Sequence, residues 1–234
     1  MIRSTTINWR NYLSIFMTIS TNCAVVLALI FPKAGHNPVA NFKFPEYIKL
    51  DSAKTFTSAE STNLVEMEPV RSQSIEVQPE TIEASQKYTY VSENPISLEI
   101  NYISNARGDV VSYLHKYTEI SPKAIQKAKM SQLKGIGHHI LFRDRDRAYL
   151  SSCISPRSLS NIDRKQFSQY RYQNDLTFKV GWEWLLGKSS IRDRRCLWVH
   201  LSTPLVTNSQ NAYSLLESTW KEIYQWWLPN FPPL

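Results

Sequence analysis

Twenty consecutive residues, Tyr12 to Phe31, contain no Asp, Glu, Lys, Arg, His or Pro. As a helix rising about 1.5 Å per residue, such a run covers about 30 Å, the thickness of a bilayer core. Ser14, Thr18, Ser20, Thr21 and Asn22 interrupt its apolar character. In a helix each can bond back to the backbone at modest cost. Trp9 and Tyr12 stand at one end, Arg3 and Arg10 precede the run, and Pro32 stops it. The simplest topology is an uncleaved single-pass anchor with a short N-terminal tail inside and the rest of the chain exported. A cleaved signal peptide and a buried soluble helix remain the competing readings.

The rest of the chain divides by charge. The 234 residues carry a net charge of +7. Residues 1–50 contribute +4, residues 51–100 contribute −6 and residues 101–234 contribute +9. About a fifth of the molecule therefore opposes the rest, which argues against nucleic acid as the partner of this basic chain. Residues 51–86 are rich in Ser, Thr, Glu and Gln and poor in large apolar side chains. Such a stretch buries too little surface to offset its ordering entropy and reads as a flexible acidic linker. Ahead of it, Phe42, Phe44, Pro45, Tyr47 and Ile48 are apolar enough to lie against membrane or domain. The expected organisation is a basic tail (1–11), an anchor (12–31), a juxtamembrane segment with its linker (32–86) and an exported domain (87–234).

Within 87–234 the periodicity alternates between strand and helix. Tyr88 to Val91 and Ile96 to Ile103 read as strands. Asp109 caps a helix bearing Val110, Leu114 and Tyr117, and Pro122 to Leu133 reads as a second, basic helix. His138 to Phe142 and Ala148 to Ile154 form a hairpin around Asp144-Arg145-Asp146-Arg147. Ser160 to Tyr172 reads as a helix. Leu176 to Trp184 alternates like a strand, with Leu176, Phe178, Val180, Trp182 and Trp184 on one face. A turn around Gly187 to Arg194 leads to its partner, Arg195 to Ser202. A helix from Asn211 to Trp227 closes the chain, its stripe being Tyr213, Leu216, Trp220, Ile223 and Trp227. Paired strands separated by helices, without regular βαβ units, predict an α+β domain with an antiparallel sheet and packed helices.

Chemistry-bearing residues are few. Six glycines form neither GxGxxG nor GxxxxGK[ST], so phosphate-cradling nucleotide folds are excluded. No C-x-x-C or H-x-x-x-H pair is present, so no metal and no cofactor is expected. Cys153 and Cys196 both fall in strands. A disulfide, two buried thiols and a reactive cysteine all remain open for them. His138, His139 and His200 are the available bases. Cys196 and His200 sit about 13 Å apart along one strand, too far to pair. The runs Arg143–Arg147 and Arg192–Arg195 mix acid with base. They are solvated turns or a patch for an anionic polysaccharide or lipid headgroup.

The segments Ala148-Tyr149-Leu150-Ser151-Ser152-Cys153-Ile154, Gln166-Phe167, Trp184-Leu185-Leu186-Gly187 and Arg192-Asp193-Arg194-Arg195-Cys196-Leu197-Trp198 resemble the cyanobacterial exosortase-associated proteins, and among them the cyanoexosortase A system-associated family. The N-terminal span and Phe44-Pro45 match that layout too. The resemblance implies a single-pass protein of the inner (plasma) membrane that accompanies a multi-pass exosortase. That enzyme processes and sorts proteins carrying a PEP-CTERM-type anchor. The family has no established chemistry, so the resemblance assigns no catalytic residue and favours a non-enzymatic partner. Its matching positions are Cys153, Arg192, Asp193, Arg195, Cys196 and Trp198, which serve as structural or partner-contact residues. A cysteine-dependent envelope enzyme is the competing reading from the residues alone.

Overall fold

A computed structural model describes residues 9–30, 42–50, 55–61, 80–91, 94–175, 177–185, 192–205 and 209–232. The expected linker positions 51–54 and 62–79, Leu176 and most of the turn before Arg192 lie outside the described residues.

The fold is α+β. After helix α1 (Trp9–Ile30) come β1 (Thr55–Ser61), β2 (Thr81–Val91), β3 (Ile96–Ser104), α2 (Val110–Tyr117), α3 (Pro122–Gln126), β4 (Lys129–Leu133), β5 (Gly137–Asp144), β6 (Arg147–Ile154), α4 (Arg164–Asp175), α5 (Phe178–Leu185), β7 (Cys196–Pro204) and α6 (Ser209–Trp227). The strands form one sheet in the order β1-β2-β3-β7-β6-β5-β4. Every neighbouring pair is antiparallel. β7 therefore keeps its sequence neighbour β6 on one side and takes the distant β3 on the other, at the centre of the sheet.

Side-chain alternation gives the sheet two covered faces. On the first, Tyr88, Leu98, Ile100, Leu150, Val199 and Leu201 meet the α6 stripe of Leu216, Trp220, Ile223 and Trp227. On the second, Ile103, Ile140, Phe142, Cys153, Cys196 and Trp198 meet Val110, Tyr113 and Leu114 of α2, Ala124 and Ile125 of α3, and Phe167 of α4. With both faces covered, β7 is buried from Cys196 to Thr203. Gly108 shows how close α4 comes. Its φ is +71°, and a Cβ there would stand 2.6 Å from Phe167.

The first face has a second cover. Phe42, Phe44, Ile48 and Leu50 join the α6 core. Phe44 packs edge-on to Trp227 at 5.6 Å, and Phe42 reaches Tyr102 at 5.6 Å. The hydroxyls of Tyr88 and Tyr90 donate to the carbonyls of Pro45 at 2.8 Å and Ile48 at 3.0 Å. Residues 42–50 thus pack as part of the domain. Within the expected linker positions, Thr55–Ser61 forms β1, which pairs with the second half of β2, and β2 itself begins at Thr81.

Two elements differ from the sequence expectation. Pro122 to Leu133 is not one helix: α3 stops at a cap on Lys127, and Lys129–Leu133 pairs with β5 as β4. The alternating run before Trp184 is not a strand. It is α5, started by Thr177, whose Oγ1 accepts from Val180 N at 3.3 Å.

In α1 the Thr18, Ser20, Thr21 and Asn22 side chains donate to carbonyls three or four residues back, at 2.8–2.9 Å. Side chains are described there only as far as Cys23. Among the described residues no helix is long and apolar enough to cross a membrane.

Candidate functional site

The sheet register lines up polar residues on the second face. One row runs Lys87, Glu99, His200 and Ser151 across four strands. The next runs Thr89, Ser97, Ser202 and Tyr149. α2 and α3 do not cover this region, which opens as a cleft of about 780 Å³. Tyr117 at the end of α2, the α2–α3 connection (Thr118 to Ile120) and the β5–β6 turn (Asp144 to Arg147) complete its lining.

His200 is its most constrained group. It is 8% exposed, and its ring stacks on Tyr149 at 5.3 Å, which in turn stacks on Phe142 at 5.2 Å. Burial, assisted by the nearby Arg147 charge, pushes the imidazole down to a pKa of about 4, so it is neutral at pH 7. Its Nδ1 meets no hydrogen-bond partner. Beside it, Arg147 Nη2 donates to Ser202 Oγ at 2.8 Å, and Ser121 Oγ donates to Asp144 at 2.6 Å. Lys87, Arg145 and Arg147 face Glu99, Glu119, Asp144 and Asp146 around the cleft. Both signs of charge with several hydroxyls suit a polar ligand of little net charge better than a polyanion.

The cysteines expected as candidates are brought together. Cys153 and Cys196 form a disulfide with Cα atoms 5.7 Å apart, and both are fully buried. Neither is a free thiol. Cys23, exposed on α1, is free. Cys196 and His200 are four residues apart on β7 and remain apart, as expected from the extended backbone.

The other expected contact residues are mostly taken up inside the fold. Trp198 is 0% exposed; its Nε1 donates to Ser151 Oγ at 2.9 Å, and its ring leans on Tyr113 at 5.6 Å. Arg195 holds Asp193 through two bonds, Nη2 at 2.6 Å and Nε at 2.8 Å. Its Nη1 also donates to the Pro232 carbonyl at 2.5 Å, and its guanidinium lies over Phe231. Arg195 with Asp193 secures the start of β7 to the C-terminal segment, while Trp198 packs inside the second face. Arg192 is exposed.

The arginine-rich runs do not make one patch. Arg147 pairs with Pro204 and Ile154 with Leu197, so the runs lie at opposite ends of the β6–β7 pair. The seven steps of β6 separate them by about 23 Å.

His138 and His139 point to opposite faces, as alternation requires. His138 Nδ1 lies 3.4 Å from the Tyr170 hydroxyl of α4. His139 Nε2 lies 2.9 Å from Glu217 of α6, which also accepts from Ser131 at 3.1 Å. Burial lowers the His139 pKa against the opposing pull of Glu217. Among the described residues no group of three or more His, Cys, Asp or Glu side chains gathers as a metal site. Lys87, Glu99 and Tyr149 carried no local signal, since only the insertion of β7 between β3 and β6 brings the β2–β3 pair and Tyr149 to one cleft.

Comparison with protein-family models, curated proteins and solved structures finds no match to this chain.

Proposed function

We propose that this chain is a single-pass accessory protein of an exosortase-type sorting system in the inner (plasma) membrane. Its α+β domain lies on the exported side and acts as a non-catalytic partner of the multi-pass sorting peptidase. The observation that carries the reading is the Cys153–Cys196 bond, buried at the centre of the sheet behind a long N-terminal apolar helix. Disulfides persist in oxidising compartments, which supports an exported domain.

Two further observations support it. The back-bonded hydroxyls and amide of α1 are how polar side chains are accommodated in a membrane span. The residues that carry the family resemblance also build the domain: the cystine, the Asp193–Arg195 clamp, Trp198 and Phe167. The cysteine-enzyme alternative loses both of its nucleophiles to the disulfide. The two arginine runs lie at opposite ends of the β6–β7 pair and so form no single polyanion patch.

The test is crosslinking in native membranes followed by affinity recovery of this chain. The multi-pass sorting peptidase should be recovered with it. Repeated recovery of the crosslinked chain without that peptidase would sink the reading.

A further inference from the structure

We infer that the exposed aromatic face of α5 is an interfacial membrane contact that lays the domain on the headgroups of the bilayer holding α1; this rests on the anchor reading above.

α5 is amphipathic in the wrong sense for a helix that only packs on its own domain. Val180 is 7% exposed and points inward. Phe178 and Trp182, one turn apart on the other side, are 89% and 56% exposed. Gly181 lies beside them, and a Cβ there would meet nothing within 4 Å, so no part of the described fold covers this face. Trp184 of α5 and Tyr172 of α4 are exposed as well, at 45% and 70%. Large aromatic rings left in water are unfavourable, and Trp, Tyr and Phe are the side chains that settle at a membrane interface.

The charges around the face fit anionic headgroups. Residues 164–185 hold Arg164, Lys165, Arg171 and Lys179 against Asp175 and Glu183. Asp175 is buried and already held by Arg157 and Arg171 at 3.2 and 3.3 Å. Arg164 and Lys165 are exposed. Lys179 of α5 lies 3.9 Å from Glu183, so α4 and α5 together keep a net basic balance, which favours anionic lipid.

Chain length makes the contact reachable. Because Phe42 packs on Phe44, Tyr102 and Trp227, the domain begins at residue 42 rather than after the acidic stretch. Eleven residues, 31–41, separate it from the end of α1. Fully extended they reach about 40 Å. A globule of residues 42–234 has a radius of gyration of about 16 Å, hence a diameter of about 40 Å. The tether is no longer than the domain is wide, so the domain is confined to the bilayer surface at high effective concentration.

The test uses the full chain with Cys23→Ser, reconstituted in nanodiscs of phosphatidylglycerol and phosphatidylethanolamine. A nitroxide is placed at Gly181→Cys, which keeps Phe178 and Trp182, or at Phe16→Cys on α1. Its relative accessibility to oxygen and to a polar nickel chelate reports depth in lipid. The label at 181 should be oxygen-accessible and chelate-shielded. Adding Phe178→Ala and Trp182→Ala should raise its chelate accessibility severalfold. A lipid-embedded label at 16 with a fully aqueous label at 181 overturns the inference and leaves the anchor standing. An aqueous label at 16 overturns the anchor and the inference with it. A label at 181 that is aqueous in nanodiscs but shielded in native membranes assigns the face to a protein partner and also overturns the inference.

Discussion

Ile48 sits in a segment without regular secondary structure, yet it is 1% exposed and shares the core of α6. Its neighbour Tyr47 is 65% exposed. Truncating a buried Ile to Ala costs about 2–5 kcal/mol, here taken as about 3. At a urea m-value of about 2 kcal/mol/M, this lowers the unfolding midpoint by about 1.5 M. Tyr47→Ala should stay within about 0.5 kcal/mol, as surface changes do. Deleting the whole segment is far more severe. Ile48 and Leu50 are fully buried, each worth about 1.5–3 kcal/mol, and half-buried Phe42 and Phe44 add about 1–1.5 each. The Pro45 and Ile48 carbonyls that take the Tyr88 and Tyr90 hydroxyls add about 1–3 kcal/mol per bond. The total of roughly 7–15 kcal/mol matches a typical domain's entire stability of about 5–15. Residues 42–234 should therefore unfold cooperatively in urea by circular dichroism, and residues 87–234 should show no such transition. If residues 87–234 unfold at the same midpoint as 42–234, or Ile48→Ala behaves like Tyr47→Ala, the segment is not part of the core and the short tether fails with it.

Other consequences are open to measurement. Replacing both Cys153 and Cys196 by Ala opens a cross-link spanning 43 positions, which should lower stability by about 4 kcal/mol and be read as a fall in Tm. His200 has its pKa pushed from 6.5 to about 4, so between those values the unfolded chain binds the proton and the folded one does not. Its contribution is complete above pH 6.5 and is lost as pH falls towards 4, by about 3 kcal/mol; His139, shifted the same way, adds to the slope. Urea midpoints measured from pH 7 to 4 should show this fall, and His200→Phe should flatten it. Arg195→Ala leaves Asp193, 3% exposed, without its partner; the expected loss is about 3–5 kcal/mol, seen as a lower urea midpoint.

The legible parts of the fold were those with local causes. The Asp144–Arg147 turn joins two alternating runs, and it is the hairpin of β5 and β6. The three-four spacing of Leu216, Trp220, Ile223 and Trp227 is the buried stripe of α6. The run before Trp184 misled because aromatic alternation over nine residues fits either element. Thr177 as a cap and the i,i+4 pair Lys179–Glu183 decide for a helix. Phe42 to Leu50 had apolar side chains but no period, since nothing local places them; their partners Tyr88, Tyr102 and Trp227 lie far along the chain. The cleft was hidden for the same reason. Lys87 meets Glu99 through the β2–β3 pairing, but His200 becomes a neighbour of Glu99 only because β7 inserts beside β3. The cystine was visible as one of several states, and only the alignment of β6 with β7 brings the two sulfurs together.

The account rests most heavily on a disulfide-bearing domain on the exported side of the membrane. Counting thiols on the full chain, alkylated in acid-quenched native membranes and weighed intact, tests it directly. One label, on Cys23, is expected before reduction and three after it. Three labels before reduction would show Cys153 and Cys196 as thiols in the cell and contradict the account.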